Sequence, residues 1–121
     1  MIEKSTQPRK QRLSQHKAPL HVQSKNLNAH LSKELRTKYA RRSIRVRVGD
    51  KVKIVRGQYS GSVGAVERVE AKDGRIYVAK VEQIRKDGTK SLYPISASNV
   101  TILDLKLDDK LRAAKLSSKK K

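Results

Sequence analysis

The sequence predicts an all-β core, a small, strongly bent and partly closed barrel of five strands at residues 44–103. Apolar and cationic residues alternate from Arg45 to Ile54, which is the pattern of a strand with one buried and one exposed face. The pairs Asp73-Gly74 and Asp87-Gly88 each separate two apolar segments and are strong signals for tight hairpins. Because an open sheet of so few short strands would leave its edges exposed, we expect a barrel.

The five strands follow one another with little sequence between them. The first begins near Lys51, because Gly49 and Asp50 interrupt the alternating run with a turn. The second lies in "SVGAVERVEA", where three valines are spaced by three as in a helix. Gly64 and the β-branched residues there favour a bulged or strongly curved strand instead. The third and fourth strands lie in "RIYVAKV" and "TKSLY" on either side of the second Asp-Gly turn, and "NVTIL" supplies the fifth.

All six glycines lie between residues 49 and 88. Three of them, Gly57, Gly61 and Gly64, raise the alternative of a phosphate-binding loop. Such loops need a Lys-Ser/Thr pair after the last glycine or a helix that opens at it, and this segment has neither. The spacing therefore favours glycines that turn and bend a hairpin. We assign this structural role to Gly49, Gly57, Gly61, Gly64, Gly74 and Gly88.

Residues 1–43 form a basic N-terminal extension with only two acids. We expect most of it to be mobile in the free protein, because it cannot bury enough apolar surface to offset the entropy of ordering. The exception is a helix near residues 28–40, since apolar residues recur every four positions from Leu27 to Tyr39. Asn28 or Ser32 is the expected cap of this helix. The extension should contribute contacts to a partner rather than to the core.

Residues 104–121 form a short C-terminal segment. The stretch "DDKLRAAKLSSKKK" offers Asp108 as an N-cap, and good helix formers and a lysine-rich tail follow it. We expect one or two helical turns here and then disorder.

Composition narrows the classes of function. The formal net charge is +19, from 30 Lys and Arg against 11 Asp and Glu, and a polyanion is the simplest partner for such an excess. No cysteine is present, and His16, His21 and His30 have no acidic or cysteine partners at metal-binding spacing. We therefore expect no metal, no cofactor and no small-molecule substrate. No set of residues is arranged for catalysis, so we do not expect an enzyme.

The sequence has neither a secretory signal nor a membrane-spanning stretch, so we expect a soluble, intracellular protein without membrane insertion. It has four tyrosines and no Phe or Trp, which excludes a multi-aromatic platform for single strands. Two roles are open to Tyr59, stacking on an unpaired base or folding over the end of the barrel. Recognition should therefore depend mainly on phosphate, sugar and shape.

The segment "RVGDKVKIVRGQYSGSVGAVERVEAKDGRIYV" resembles a KOW motif, which several ribosomal proteins and transcription elongation factors share. Its flanks, "APLHVQSKNLNAHLSKELRTKYARRSIRVRVGDKV" and "DGTKSLYPISASNVTILDLKLDDKLR", are similar to the archaeal and eukaryotic family of large-subunit ribosomal proteins numbered twenty-four in the universal scheme. The resemblance covers about residues 8–112. It implies an SH3-like barrel in the cytoplasm, bound to the 5′ domain of large-subunit ribosomal RNA beside neighbouring ribosomal proteins. It also implies a role in early subunit assembly and a position near the exit of the nascent-chain tunnel.

The resemblance places a candidate RNA-binding loop at Arg56, Gln58, Tyr59 and Ser60. Cations and histidines of the extension and of the segment after it complete the expected RNA-binding set, namely Arg9, Lys10, Arg12, His16, Lys17, His21, Lys25, Lys33, Arg36, Lys38, Arg41, Arg42, Arg45 and Arg47. Arg and Lys at these positions would contact phosphates and release counterions. Two other classes stay open, a KOW-type transcription elongation factor and a small basic DNA-compacting protein.

Overall fold

The computed structural model describes residues 4–118. This part of the chain contains seven strands and four α-helices. In chain order the elements are α1 (Pro8–Lys17), α2 (Leu20–Gln23), a 3₁₀ turn (Ser24–Leu27), β1 (Asn28–Leu31), α3 (Lys33–Tyr39), β2 (Ser43–Arg45), β3 (Lys51–Ile54), β4 (Val63–Glu70), β5 (Arg75–Ile84), β6 (Lys90–Ser96), a second 3₁₀ turn (Ala97–Asn99), β7 (Val100–Asp104) and α4 (Lys110–Ser117). None of the helices within residues 4–118 is long and apolar enough to span a bilayer.

The strands form one mixed sheet in the order β2-β1-β7-β3-β4-β5-β6. β1 pairs with β7 in parallel, and the other pairs are antiparallel. The described chain is mostly β, as expected, and the five expected strands correspond to β3 to β7. They belong to an open sheet, however, and the expected partly closed barrel of five strands is not observed within residues 4–118. The sheet has seven strands rather than five, because β1 and β2 extend it beyond β7.

The pairing of β5 is irregular with both of its neighbours, β4 and β6. The pairing of β4 with β5 shifts register between Val66 and Arg68, so the predicted bulge in this strand is present. Lys80 in β5 has a positive φ of 66°, and the pairing of β5 with β6 also changes register there. A Cβ atom added at Gly64 would lie 2.7 Å from the carbonyl oxygen of Ala79. Gly64 therefore permits a backbone approach that no other residue would allow.

The N-terminal extension contributes directly to the core, contrary to expectation. Leu27, Ala29 and Leu31 are fully buried, and they alternate with more exposed neighbours because β1 is a strand between β2 and β7. The helix predicted near residues 28–40 is therefore shorter and begins later. It is α3, and the hydroxyl of Ser32 caps it by accepting a hydrogen bond from the N–H of Leu35.

The C-terminal helix is also part of the packed structure. Asp109, not Asp108, caps α4 by accepting a hydrogen bond from the N–H of Leu111 at 3.1 Å. The helix buries Leu116 and Arg112, and the Arg112 guanidinium binds the buried carboxylate of Asp50. The short helix expected here is therefore found, whereas the last three lysines of the predicted tail lie outside the described residues.

Candidate nucleic-acid interface

Helix α1 is the most basic element of the described chain. Pro8 occupies its first turn, where a missing backbone N–H has no cost, and no residue of the helix is buried. It has no acid in its first turn. The RNA-binding candidates on it are all exposed, namely Arg9, Lys10, Arg12, His16 and Lys17. At 3.6 residues per turn these positions fall within about half of the circumference, so the helix presents one broad cationic face.

The chain reverses after α1, so that two more candidates, His21 and Lys25, lie exposed on the following turns. The Gln23 side chain donates a hydrogen bond from Nε2 to the carbonyl oxygen of His16 at 3.3 Å and so links α2 to the end of α1. Leu27 then enters the core and fixes the start of β1. The basic helical segment is thus anchored to the sheet at its C-terminal end.

A cleft of about 470 Å³ separates α1 from the sheet. We call it the helix-side cleft. One wall comes from α1 and the turns after it, and the opposite wall comes from the β4–β5 turn and the end of β6. Its lining includes Arg12, Gln23, Asn26, Lys72, Arg75 and Ser96. Asp73 is the acid among the lining residues, so cations outnumber it.

A smaller cleft of about 140 Å³ lies beside the loop between β3 and β4. We call it the loop-side cleft. It is lined by Arg56, Gln58 and Tyr59 of that loop and by Tyr93 of β6. Arg75 and Ser96 line both clefts. The two clefts therefore form one continuous surface that runs from α1 to the loop.

The loop between β3 and β4 turns back on itself at two glycines with left-handed backbone conformations. Gly57 and Gly61 have positive φ values of 102° and 90°, and the Gly61 N–H donates to the carbonyl oxygen of Ile54 at 2.8 Å. The Ser60 hydroxyl donates to the carbonyl oxygen of Val55 at 2.8 Å, so it supports the loop from inside. Arg56 and Gln58 remain exposed on its outer side.

Tyr59 folds over the end of the sheet. Its hydroxyl donates to the carbonyl oxygen of Glu82 at 2.9 Å, and its ring packs against Tyr93 with the centroids 5.0 Å apart. Of the two roles left open by the sequence, this geometry matches the folded-over ring, which here covers the end of the sheet. Tyr59 also lines the loop-side cleft.

Several other candidate cations take part in internal contacts. Arg36 donates from Nε to the carbonyl oxygen of Leu31 at 2.9 Å, and its Nη2 lies 3.2 Å from Nδ1 of His30. Arg41 donates to the hydroxyl of Ser118 at 2.8 Å, which joins the extension to the end of α4. The remaining candidates outside α1 are exposed, namely Lys33, Lys38, Arg42 and Arg45.

Arg47 is tied to the start of α4. Its Nη1 lies 2.5 Å from Oδ2 of Asp109. The pKa of the Asp109 carboxyl is lowered, first by the hydrogen bond from the N–H of Leu111 and then by Arg47. Elsewhere, burial and a hydrogen bond to Glu70 raise the pKa of the Tyr77 hydroxyl. Among residues 4–118, no group of three or more metal-binding side chains comes together.

Sequence reasoning missed several residues of the continuous surface. Asn26, Lys72, Arg75 and Ser96 line the helix-side cleft but were not among the candidates. A signal existed for two of them, since Lys72 and Arg75 flank the Asp73-Gly74 hairpin turn and residues beside such turns are usually exposed. No local signal marks Asn26, because its place depends on the β1 strand that the sequence pattern concealed.

The family comparison extends over nearly the whole chain. The family model that describes the eukaryotic ribosomal proteins L26 and their archaeal counterparts, the L24 proteins, matches residues 5–119. The chain belongs to this family. The resemblance seen in the KOW segment and its flanks is therefore confirmed, and both the helical N-terminal segment and α4 lie within the family's match.

Individual members of the family are similar along their full length. A protein of Methanospirillum hungatei named large ribosomal subunit protein uL24 is 50% identical over 113 residues, which cover 93% of this chain and 94% of that protein. The protein of the same name from Methanoregula boonei is 47% identical over 115 residues and 95% of each chain. The protein of the same name from Methanosarcina barkeri is 46% identical over 112 residues, which cover 93% of this chain and 97% of that protein.

Proposed function

We propose that this protein is a structural constituent of the large ribosomal subunit and binds large-subunit ribosomal RNA with the surface formed by α1, the two clefts and the β3–β4 loop. Membership of the ribosomal family supports the first part, together with the names of its relatives. The second part is supported by one observation above all. Arg12 of α1 lines the helix-side cleft with Arg75, and Arg75 also lines the loop-side cleft with Arg56.

The proposed mechanism is neutralisation of charge combined with recognition of shape. With a formal net charge of +19, the chain repels itself until a polyanion neutralises it. Arginine and lysine side chains contact phosphates, condensed counterions are released, and the RNA is held in a compact arrangement. The candidate residues fall into two groups according to their internal contacts. Those of Arg41 and Arg47 hold the protein together, whereas the cations of α1 are exposed to meet RNA.

We extend the proposal to the type of β fold and to the position of the protein in the large subunit. Strands β3 to β7 serve as the SH3-like unit of the KOW motif. The close backbone approach at Gly64 and the positive φ of Lys80 allow these strands to curve. The rRNA partner is the 5′ domain, the protein joins early in subunit assembly, and it lies near the nascent-chain tunnel exit with neighbouring ribosomal proteins in the cytoplasm. A structural constituent of this kind is not an enzyme. These features are what the family resemblance implies.

Sedimentation of the protein in cell extract tests the proposed function. At moderate salt the protein should migrate with large ribosomal subunits, because many phosphate contacts hold it there. Migration with RNA polymerase would favour the KOW-type elongation factor, and migration with chromosomal DNA would favour the DNA-compacting protein. Either of those results, or a free protein, refutes the proposal.

A further inference from the structure

We infer that the helix-side cleft binds one unpaired nucleotide of an RNA, whose base meets the amides of Asn26 and Gln23 and whose phosphates meet Arg12 and Arg75. This inference rests on the proposed function and adds a recognition mode to it. The predicted reliance on phosphate and shape alone would then be incomplete.

The size and lining of the cleft fit a nucleotide. Its volume of about 470 Å³ falls within the range of roughly 300–1,000 Å³ that is usual for small-molecule sites. Gln15, Gln23 and Asn26 bring three amide side chains to it. An amide has both donors and an acceptor, which is the combination that hydrogen-bonds the edge of a base. Nε2 of Gln23 already donates to the carbonyl oxygen of His16, so Gln23 offers mainly its Oε1 as an acceptor. Because a paired base has already used this edge, the cleft selects an unpaired one.

The positive charges around the amides are placed to contact the phosphates of the same nucleotide. Arg12 comes from α1, and Lys72 and Arg75 come from the β4–β5 turn, so cations stand on both walls. All three are exposed, and Asp73 is the acid beside them. No tyrosine lines this cleft among the described residues, but His16 does. A base would therefore stack on an imidazole ring or a planar guanidinium, as unpaired bases do in other complexes.

Within the cleft, Asn26 is held in place, whereas α1 is free to adjust. Asn26 directly precedes the fully buried Leu27. It faces the β4–β5 turn closely, since a Cβ atom added at Gly74 would lie 3.8 Å from the Asn26 Cβ. By contrast, α1 has no buried residue. The 3₁₀ turn before β1 thus holds the base-reading amide in place, while α1 closes on the bound nucleotide.

Nuclear magnetic resonance of the full-length, ¹⁵N-labelled chain tests this inference. The probes are single-stranded pentanucleotides of A, C or U, a blunt RNA duplex, and ribose 5-phosphate. Pentanucleotides should shift the amide of Asn26 as well as those of Gly74 and Arg75, whereas ribose 5-phosphate and the duplex, which offer phosphates but no unpaired base, should leave Asn26 unshifted. Asn26→Ala should weaken pentanucleotide binding by about tenfold, as loss of a good base contact does. Gln83→Ala, which removes an exposed amide on β5, should leave binding unchanged.

Three results would overturn the inference. The first is an equal shift with ribose 5-phosphate, which would make the cleft a phosphate site only. The second is an equal shift of the Asn26 amide with the duplex, and the third is an absence of shifts in the cleft. Thermal melting of Asn26→Ala checks that it is folded. If the protein still sediments with large subunits while any of these results holds, the inference fails and the proposed function stands.

Discussion

Arg112 and Asp50 form a buried ion pair with two parallel hydrogen bonds. Nη1 of Arg112 lies 2.7 Å from Oδ1 of Asp50, and Nη2 lies 2.6 Å from Oδ2. The same carboxylate accepts hydrogen bonds from the backbone N–H groups of Arg47 and Lys106 at 2.9 and 3.0 Å. Arg112 also donates to the carbonyl oxygen of Arg45. One buried carboxylate thus joins α4 to the turn before β3.

Breaking this pair should destabilise the protein strongly. Arg112→Met leaves the Asp50 charge buried without its partner, and we expect a loss of about 3–5 kcal/mol in the free energy of unfolding, measured by urea denaturation. Arg47→Ala, which breaks the exposed pair with Asp109, should have a much smaller effect. The double variant Asp50→Asn/Arg112→Met should be more stable than Arg112→Met. Equal losses for Arg112→Met and Arg47→Ala would contradict this account.

Gly64→Ala should also destabilise the fold. The added methyl would lie 2.7 Å from the Ala79 carbonyl oxygen and 2.8 Å from a methyl of Val78, so β4 and β5 must separate. We expect a loss of about 1–3 kcal/mol, measured by thermal or urea unfolding. Gly57→Ala is the matched control, because its φ is positive but nothing lies within 4 Å. A Gly64→Ala protein as stable as Gly57→Ala would show that the close approach is not required.

The stability contributed by Asp109 should depend on pH. Its folded-state pKa is lowered from the usual 3.8, first by the Leu111 N–H and then by Arg47. A carboxylate with a lowered pKa stabilises the fold above its unfolded pKa, and this contribution is lost as the pH falls through the folded value. Asp109→Ala should therefore melt below the unsubstituted protein at pH 7, by a margin that shrinks below pH 3.8. A margin that is constant with pH would exclude a role for the charge.

Truncation should separate the RNA-contacting part of the extension from its core part. Deletion of residues 1–18 removes α1, which has no buried residue, so melting should stay cooperative while RNA affinity falls. Deletion of residues 1–43 also removes Leu27, Ala29 and Leu31 and exposes the edge of β7, so cooperative melting should be lost. Calorimetry of both chains measures this. Cooperative melting after the longer deletion would restore the original expectation that the extension lies outside the core.

The strands between residues 44 and 103 were predictable because their signals are local. Alternation marks β3, and two Asp-Gly turns mark the hairpins around β5. The strand β1 was missed because Leu27 and Leu31 fit a period of four as well as a period of two, and its partners β2 and β7 decide between them. The burial of Arg112 in the C-terminal helix was missed because its partner Asp50 lies 62 positions away. Contacts at such separation leave no local pattern.

The candidate surface was predictable only in part for the same reason. The cations of α1 and Arg56 follow from composition and from the KOW resemblance. The joining of their two clefts through Arg75 and Ser96 depends on how the β4–β5 turn and the end of β6 meet in space. The internal use of Arg41 and Arg47 depends likewise on α4, far away in sequence.

The salt dependence of RNA affinity tests the central claim, that the α1 surface binds ribosomal RNA through phosphates. Binding of the full chain to a 5′-domain fragment of large-subunit RNA should weaken steeply with salt. Arg9→Ala/Lys10→Ala should reduce the slope of log K against log salt by roughly 0.7–0.9 for each contact removed. Lys110→Ala/Lys115→Ala, on exposed positions of α4, should leave that slope unchanged. A nearly flat dependence, or equal slopes for the two double variants, would contradict the account.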